Sequence, residues 1–288
     1  MCIPQASSIV ANQYKKWNFK IKNSSNWTND LQSWNQFLEN IKLVPKINRI
    51  HVMGGEPLIN KKFKEFIYWL IENKYNNLSI SFVTNGTSFD KNFIESLKYF
   101  KSVDIEVSLE SINRTNNYIR QGSDVNEILS NITKIRNLGF NVVLRSVPQL
   151  LSVNDYYQYI KWAFDEKFSI QSIPLSYPYY FCIQVLPQEI KKSLIPKYQK
   201  VIEYITENSN SLISTISTGR DISRLPYQMI RECKTIISML EQPQLDNVQE
   251  LRKELIEWLV RWDKVYNLDA REYYPEYSEF LEFYGYQI

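Results

Sequence analysis

Ile47-Asn48-Arg49-Ile50-His51-Val52-Met53 runs directly into Gly54-Gly55-Glu56-Pro57, and this junction decides the fold. The first seven residues are rich in β-branched and apolar side chains and read as a strand. The glycine pair ends it, and Pro57 opens the turn into the next helix. Glycine is scarce, seven in 288 residues, so two adjacent glycines mark a place where backbone must take an unusual conformation or meet a ligand closely.

Downstream, Phe63, Phe66, Ile67, Leu70 and Ile71 recur at helical spacing. A second strand, Leu78 to Val83, is closed by Asn85-Gly86, and Phe93, Ile94 and Leu97 mark another helix. Val103 to Leu109 is a third strand. Asp124, three residues before Glu127, caps a helix with Ile128, Ile132 and Ile135 on one face. Val142-Val143-Leu144 centres a fourth strand, Tyr156 to Phe164 a helix, and Phe168 to Leu175 a fifth strand. The alternation predicts parallel strands near 48–53, 79–84, 103–109, 141–147 and 169–175. A whole or partial barrel and a doubly wound open sheet both fit, and in both the chemistry lies at the C-terminal strand ends. Upstream, Leu31, Trp34, Leu38 and Ile41 form one helix face. Beyond about residue 185 the segments Gln188–Glu207, Tyr227–Leu240 and Val248–Tyr266 look helical, with no strands between them. A domain change is expected near Pro187.

Hydrophobic residues make up 44% and charged residues 23% of the chain, and the net charge is +3. No basic block suggests nucleic acid or a membrane surface, and no apolar run suggests a membrane span. The default compartment is the cytosol. Three cysteines, Cys2, Cys182 and Cys233, lie far apart and form no disulfide framework. Cys182 and Cys233 read as buried thiols rather than ligands.

Polar and glycine-containing motifs fall at the strand ends: Gly54-Gly55-Glu56-Pro57, Thr84-Asn85-Gly86-Thr87, and Ser108 with Glu110. A carboxylate beside two glycines can hold an ammonium group; a tight strand–helix turn accounts for the same residues. Ser108 and Glu110 suit a sugar or an amino acid, and Arg120 suits a carboxylate; a strand-end polar pair and a surface arginine are the plainer readings. His51, the one histidine, reads as a core or neighbour-bonded imidazole. A Ser/His/Asp site, a Walker loop and a Gly-x-Gly-x-x-Gly fingerprint are absent from the sequence.

Taken in order, Gly54-Gly55-Glu56-Pro57-Leu58, Thr84-Asn85-Gly86-Thr87 and Val107-Ser108-Leu109-Glu110 resemble the radical S-adenosylmethionine (radical SAM) superfamily. Its pattern is a CxxxCxΦC loop, then GGEP, a TNG-type turn, and a serine with an acidic residue. Arg120, twelve residues after Ser108, resembles the subgroup that modifies peptides and proteins. Pro178-Tyr179-Tyr180, Leu186-Pro187, Leu268-Asp269-Ala270-Arg271 and Pro275-Glu276 resemble the branch described as carrying a twitch domain. The resemblance implies an α/β fold, a partial (β/α)6 barrel lacking its first strand, over residues 1–186, with a mostly helical, twitch-like region over 187–288.

It further implies two cofactors, a [4Fe–4S] cluster and S-adenosylmethionine. Reductive cleavage of the latter would give a 5′-deoxyadenosyl radical that takes hydrogen from an unknown substrate, a peptide or protein among the candidates, with a separate electron donor as partner. Gly54, Gly55 and Glu56, with Pro57 and Asn85 beside them, would meet the methionine amino group. Ser108 and Arg120 would meet its carboxylate, and Glu110 the ribose or a neighbouring polar group. Cys2 fits the third cluster cysteine, so the given chain would start inside the motif, with the first strand and two cysteines upstream. Two cysteines beyond Cys2 are few for an auxiliary cluster. A cluster-less descendant that binds a ligand or peptide, and an unrelated α/β sugar or nucleotide enzyme using Glu56 and Glu110 as acid and base, stand as the alternatives.

Overall fold

A computed structural model describes residues 27–212 and 223–288. The five expected strands form one parallel sheet in chain order: β1 (Arg49–Val52), β2 (Ser79–Thr84), β3 (Ser102–Ser108), β4 (Asn141–Ser146) and β5 (Ser169–Ser172). Arg49 pairs with Ser79 and His51 with Ser81 across β1 and β2, and Leu144 pairs with Ile170 across β4 and β5. A strand or cysteine upstream of Trp27, Cys2 included, falls outside the described residues.

The described residues group into two compact units. One takes the chain up to Glu106 together with Lys134–Asn141; the other takes Val107–Thr133 and Val142–Ile288. In the first, α1 (Leu31–Leu43) precedes β1, while α2 (Lys61–Glu72) and α3 (Lys91–Ser96) flank β2. Asn60 caps α2 by accepting the Phe63 N–H at 3.2 Å, and Asp90 caps α3 by accepting the Phe93 N–H at 3.1 Å. Phe63, Phe66, Ile67 and Leu70 are buried, and the Phe63 ring meets Phe82 at 5.2 Å. The apolar residues of β2, Ile80 and Phe82, therefore face α2, and Ser81 points to the opposite side. α1 carries Leu31, Trp34, Leu38 and Ile41 on a helix as expected; of the four only Trp34 is buried, and Leu31 is 68% exposed. The helix rests on α2 through Trp34 and Phe37, whose rings lie 6.3 and 5.2 Å from Phe66, so the contact is turned by about one position from the aliphatic stripe.

In the second unit, α4 (Thr115–Ile119) and α5 (Val125–Asn137, partly in the first unit) follow β3, and α6 (Val153–Asp165) joins β4 to β5. Asp124 accepts the Asn126 N–H at 2.9 Å at the start of α5. The C-terminal part is helical as expected: α7 (Gln188–Leu212), α8 (Leu225–Glu241), α9 (Val248–Tyr266), α10 (Ala270–Tyr273) and α11 (Ser278–Phe283). α7 and α8 pack on α6, and α8 also covers β5. Gln228 on α8 donates to the Ile170 carbonyl at 2.5 Å, which satisfies an edge-strand acceptor. Leu251, Leu255 and Leu259 on α9 are buried and form plain core. Asp263, fully buried, accepts from the Tyr118 hydroxyl at 2.8 Å, the Tyr286 hydroxyl and the Ala270 N–H. Asp269 and Arg271 form an ion pair at 2.6 Å.

Candidate functional site at the strand ends

In the first unit, β1 leads through Met53 into Gly54 (φ +98°) and Gly55 (φ +62°). Two successive left-handed residues are a conformation that L side chains resist, so the chain needs glycine twice. A Cβ at either position would meet no heavy atom within 4 Å; the backbone here is open to a neighbour. Glu56 is half-buried and held on both oxygens. Oε1 accepts the Thr84 hydroxyl at 2.5 Å and the Leu58 N–H at 3.2 Å; Oε2 accepts the Asn85 N–H at 2.7 Å. One carboxylate thus caps the 3-10 turn Pro57–Ile59 and ties it to the end of β2. Thr84 in turn accepts the Gly86 N–H at 3.1 Å, and Asn85 Oδ1 accepts from Thr87 N–H and Oγ1 at 3.0 and 2.8 Å. The Asn85 side chain closes its own turn.

In the second unit, β3 ends at Ser108. The Ser108 side chain makes no hydrogen bond among the described residues. Glu110 is buried at 3% exposure. Its Oε1 accepts Arg120 Nη2 at 2.7 Å and Nε at 3.2 Å, and its Oε2 accepts the Val147 N–H at 2.7 Å. Arg120 is partly exposed and keeps Nη1 unpaired among the described residues. The carboxylate is thus the guanidinium's partner in this structure, and it positions the arginine rather than standing apart from it. Glu56 and Glu110 each accept three hydrogen bonds, an arrangement that fixes geometry and leaves neither carboxylate placed as a free acid or base.

One cluster was not singled out in the sequence. His51 Nδ1 lies 2.7 Å from Ser81 Oγ and 3.5 Å from Glu106 Oε1, and Arg49 Nη2 donates to the same Ser81 oxygen at 3.2 Å. The signal was there: positions 49 and 51, and 104 and 106, are polar and alternate with the apolar Ile50 and Val52, and Val103, Ile105 and Val107. His51 is neighbour-bonded, as read.

The thiols agree with their expected role. Burial pushes Cys233 up to about 12 and raises Cys182. No group of three His, Cys, Asp or Glu able to hold a metal exists among the described residues. The open Gly54–Gly55 backbone leaves room for a ligand to approach closely, and the described residues do not by themselves supply a cluster site.

The sequence pattern of the Radical SAM superfamily matches residues 17–160. The chain belongs to the radical SAM superfamily. This replaces the reading as an unrelated sugar or nucleotide enzyme. The superfamily's cofactors are S-adenosylmethionine and a [4Fe–4S] cluster. Among curated proteins, GTP 3′,8-cyclase of Campylobacter fetus is 30% identical over 43% of this chain and 38% of its own length. GTP 3′,8-cyclase of Alkaliphilus oremlandii is 27% identical over 45% of this chain and 41% of its own. The match thus spans about two-fifths of these relatives. A solved structure described as "Native anSMEcpe with bound AdoMet" shares 15% identity over 57% of this chain and 47% of that one, with a TM-score of 0.43, a likeness too distant to argue from. No described helix is long and apolar enough to cross a membrane.

Proposed function

We propose that this chain binds S-adenosylmethionine and serves its reductive cleavage. When bound, that cofactor and the [4Fe–4S] cluster supply a 5′-deoxyadenosyl radical, which takes a hydrogen atom from a substrate. The observation that supports this most is the open, left-handed Gly54–Gly55 backbone at the end of β1, followed by a Glu56 pinned on both oxygens. Gly54, Gly55 and Glu56 meet the methionine amino group, with Pro57 and Asn85 holding the two turns. Ser108 and the unpaired Nη1 of Arg120 meet the carboxylate, while Glu110 orients Arg120. Cys2 is a cluster ligand. Residues 1–186 form the core, and 187–288 a twitch-like region that shapes substrate choice. The protein works in the cytosol with a separate electron donor.

The substrate class implied by the Arg120 spacing is a peptide or protein. A guanosine nucleotide is the second reading, favoured by the printed names of the curated relatives. Incubating the holoprotein with GTP and with cysteine-containing peptides, and following product by mass spectrometry, separates the two.

Cofactor binding is tested by calorimetric titration of the holoprotein with S-adenosylmethionine. Arg120→Ala removes a charged hydrogen bond of about 1.5–3 kcal/mol and weakens binding roughly 10- to 100-fold. Glu110→Gln keeps the guanidinium and weakens it less. Equal, wild-type affinity in both variants contradicts the assignment.

A further inference from the structure

His51 is the single histidine of the chain. It lies three residues before Gly54 on β1, about 10 Å along a strand. Through its pairing with Ser81 it stands on the face opposite the one where Phe82 meets Phe63. On that face Arg49 donates to Ser81 Oγ, His51 Nδ1 approaches the same oxygen, and Glu106 Oε1 lies beside the ring. The Ser81 hydroxyl can either donate or accept, but the Glu106 carboxylate, 3.5 Å from Nδ1, can only accept, and it favours the proton on that nitrogen. Nε2 then carries a lone pair, and none of the described residues hydrogen-bonds to it. The His51 side chain is 31% exposed, while that of Glu106 is 4% exposed. A buried carboxylate beside an imidazole that faces outward is the arrangement by which one nitrogen is fixed and the other offered.

We propose that His51 is a proton-transfer residue for the substrate, its Nδ1 held by Ser81 and Glu106 and its Nε2 presented on the polar face of the sheet below Gly54–Gly55. The proposal rests on the cofactor reading above, which puts the reaction at that strand end. Nε2 takes the proton of a substrate O–H or N–H group. That bond breaks with its electron pair left on the heteroatom, an Nε2–H bond forms, and Glu106 balances the charge on the ring. Returning the proton to product or water restores the neutral ring, and no oxidant or reductant is consumed. The substrate is therefore one that carries a transferable proton on oxygen or nitrogen, and Ser81 and Glu106 are positioning residues.

Ring-nitrogen NMR on the chain carrying isotope-labelled histidine reports this residue alone. The neutral ring is expected to hold its proton on Nδ1, to lose that preference in Glu106→Gln, and to keep it in Glu106→Asp. A proton on Nε2 in the wild type overturns the proposal. In the holoprotein, with GTP and a short cysteine-containing peptide as probes, His51→Ala is expected to form about 100-fold less product. Added imidazole should restore it, and 5′-deoxyadenosine formation from S-adenosylmethionine should stay intact. Undiminished product without imidazole, or loss of 5′-deoxyadenosine together with product, overturns the proposal. If the wild type forms no 5′-deoxyadenosine, the cofactor reading fails instead, and the NMR measurement, which needs neither cofactor nor substrate, decides this one.

Discussion

Replacing Glu56 by glutamine changes one oxygen to an NH2 group and leaves the side-chain shape intact. In the wild type, Oε1 takes the Thr84 hydroxyl at 2.5 Å and the Leu58 N–H at 3.2 Å, and Oε2 takes the Asn85 N–H at 2.7 Å. A glutamine carbonyl can keep the first two only by turning its NH2 against the Asn85 N–H, donor to donor. Turned the other way, it sets its NH2 against the Leu58 N–H, and it keeps Thr84 only if that hydroxyl turns its proton away and accepts a second bond beside that of Gly86. The better orientation forfeits one charge-assisted hydrogen bond, about 2 kcal/mol. For a chain of this length that lowers the melting temperature by about 3 °C. Urea titration of the apo chain followed by tryptophan fluorescence measures it, and Glu56→Asp, which shortens the tie without removing charge, calibrates the loss. If Glu56→Gln leaves apo stability within about 0.5 kcal/mol of wild type, the carboxylate is not the tie between the ends of β1 and β2, and its role is confined to ligand.

Burial holds the Glu232 carboxyl above its ordinary value of 4.5. A carboxyl raised on folding binds its proton more tightly in the native state, so its ionisation costs stability as pH rises from the unfolded value through the folded one. Glu232→Gln, which keeps a partner for Ser172, should raise the urea midpoint at pH 7, with the gain fading as the pH falls through the raised folded value and gone by about pH 4; an equal effect at pH 7 and pH 4 contradicts the cause. With Cys233 pushed up to about 12 and Cys182 also raised, peptide mapping after iodoacetamide treatment of the native protein at pH 8 should find both thiols unmodified, and urea should expose both.

The strands were legible because their apolar runs were short and bounded by Asn85-Gly86 and Gly54-Gly55, and because the helices between them carried strong periodicity. Helical spacing in α1 shows an apolar stripe but not which part of it is buried: Trp34 and Phe37 meet Phe66, while Leu31 stays exposed. The strand-end residues were legible as a set, but their mutual use was not. That Arg120 grips Glu110, and that Glu56 spends both oxygens on backbone and hydroxyl donors, depends on pairings between segments 10 to 29 residues apart that no local pattern encodes. The His51–Ser81–Glu106 cluster escaped for the same reason, since its members come from three strands.

The decisive measurement is the 5′-deoxyadenosine formed from S-adenosylmethionine by the holoprotein, purified anaerobically, reconstituted with iron and sulfide, and reduced with dithionite. The expected result is about four irons per chain and 5′-deoxyadenosine accumulating with time. Cys2→Ala should lose both, and Glu110→Gln should keep the iron. A wild-type protein that takes up iron yet leaves S-adenosylmethionine uncleaved, or a Cys2→Ala protein that keeps its cluster and its activity, would contradict it.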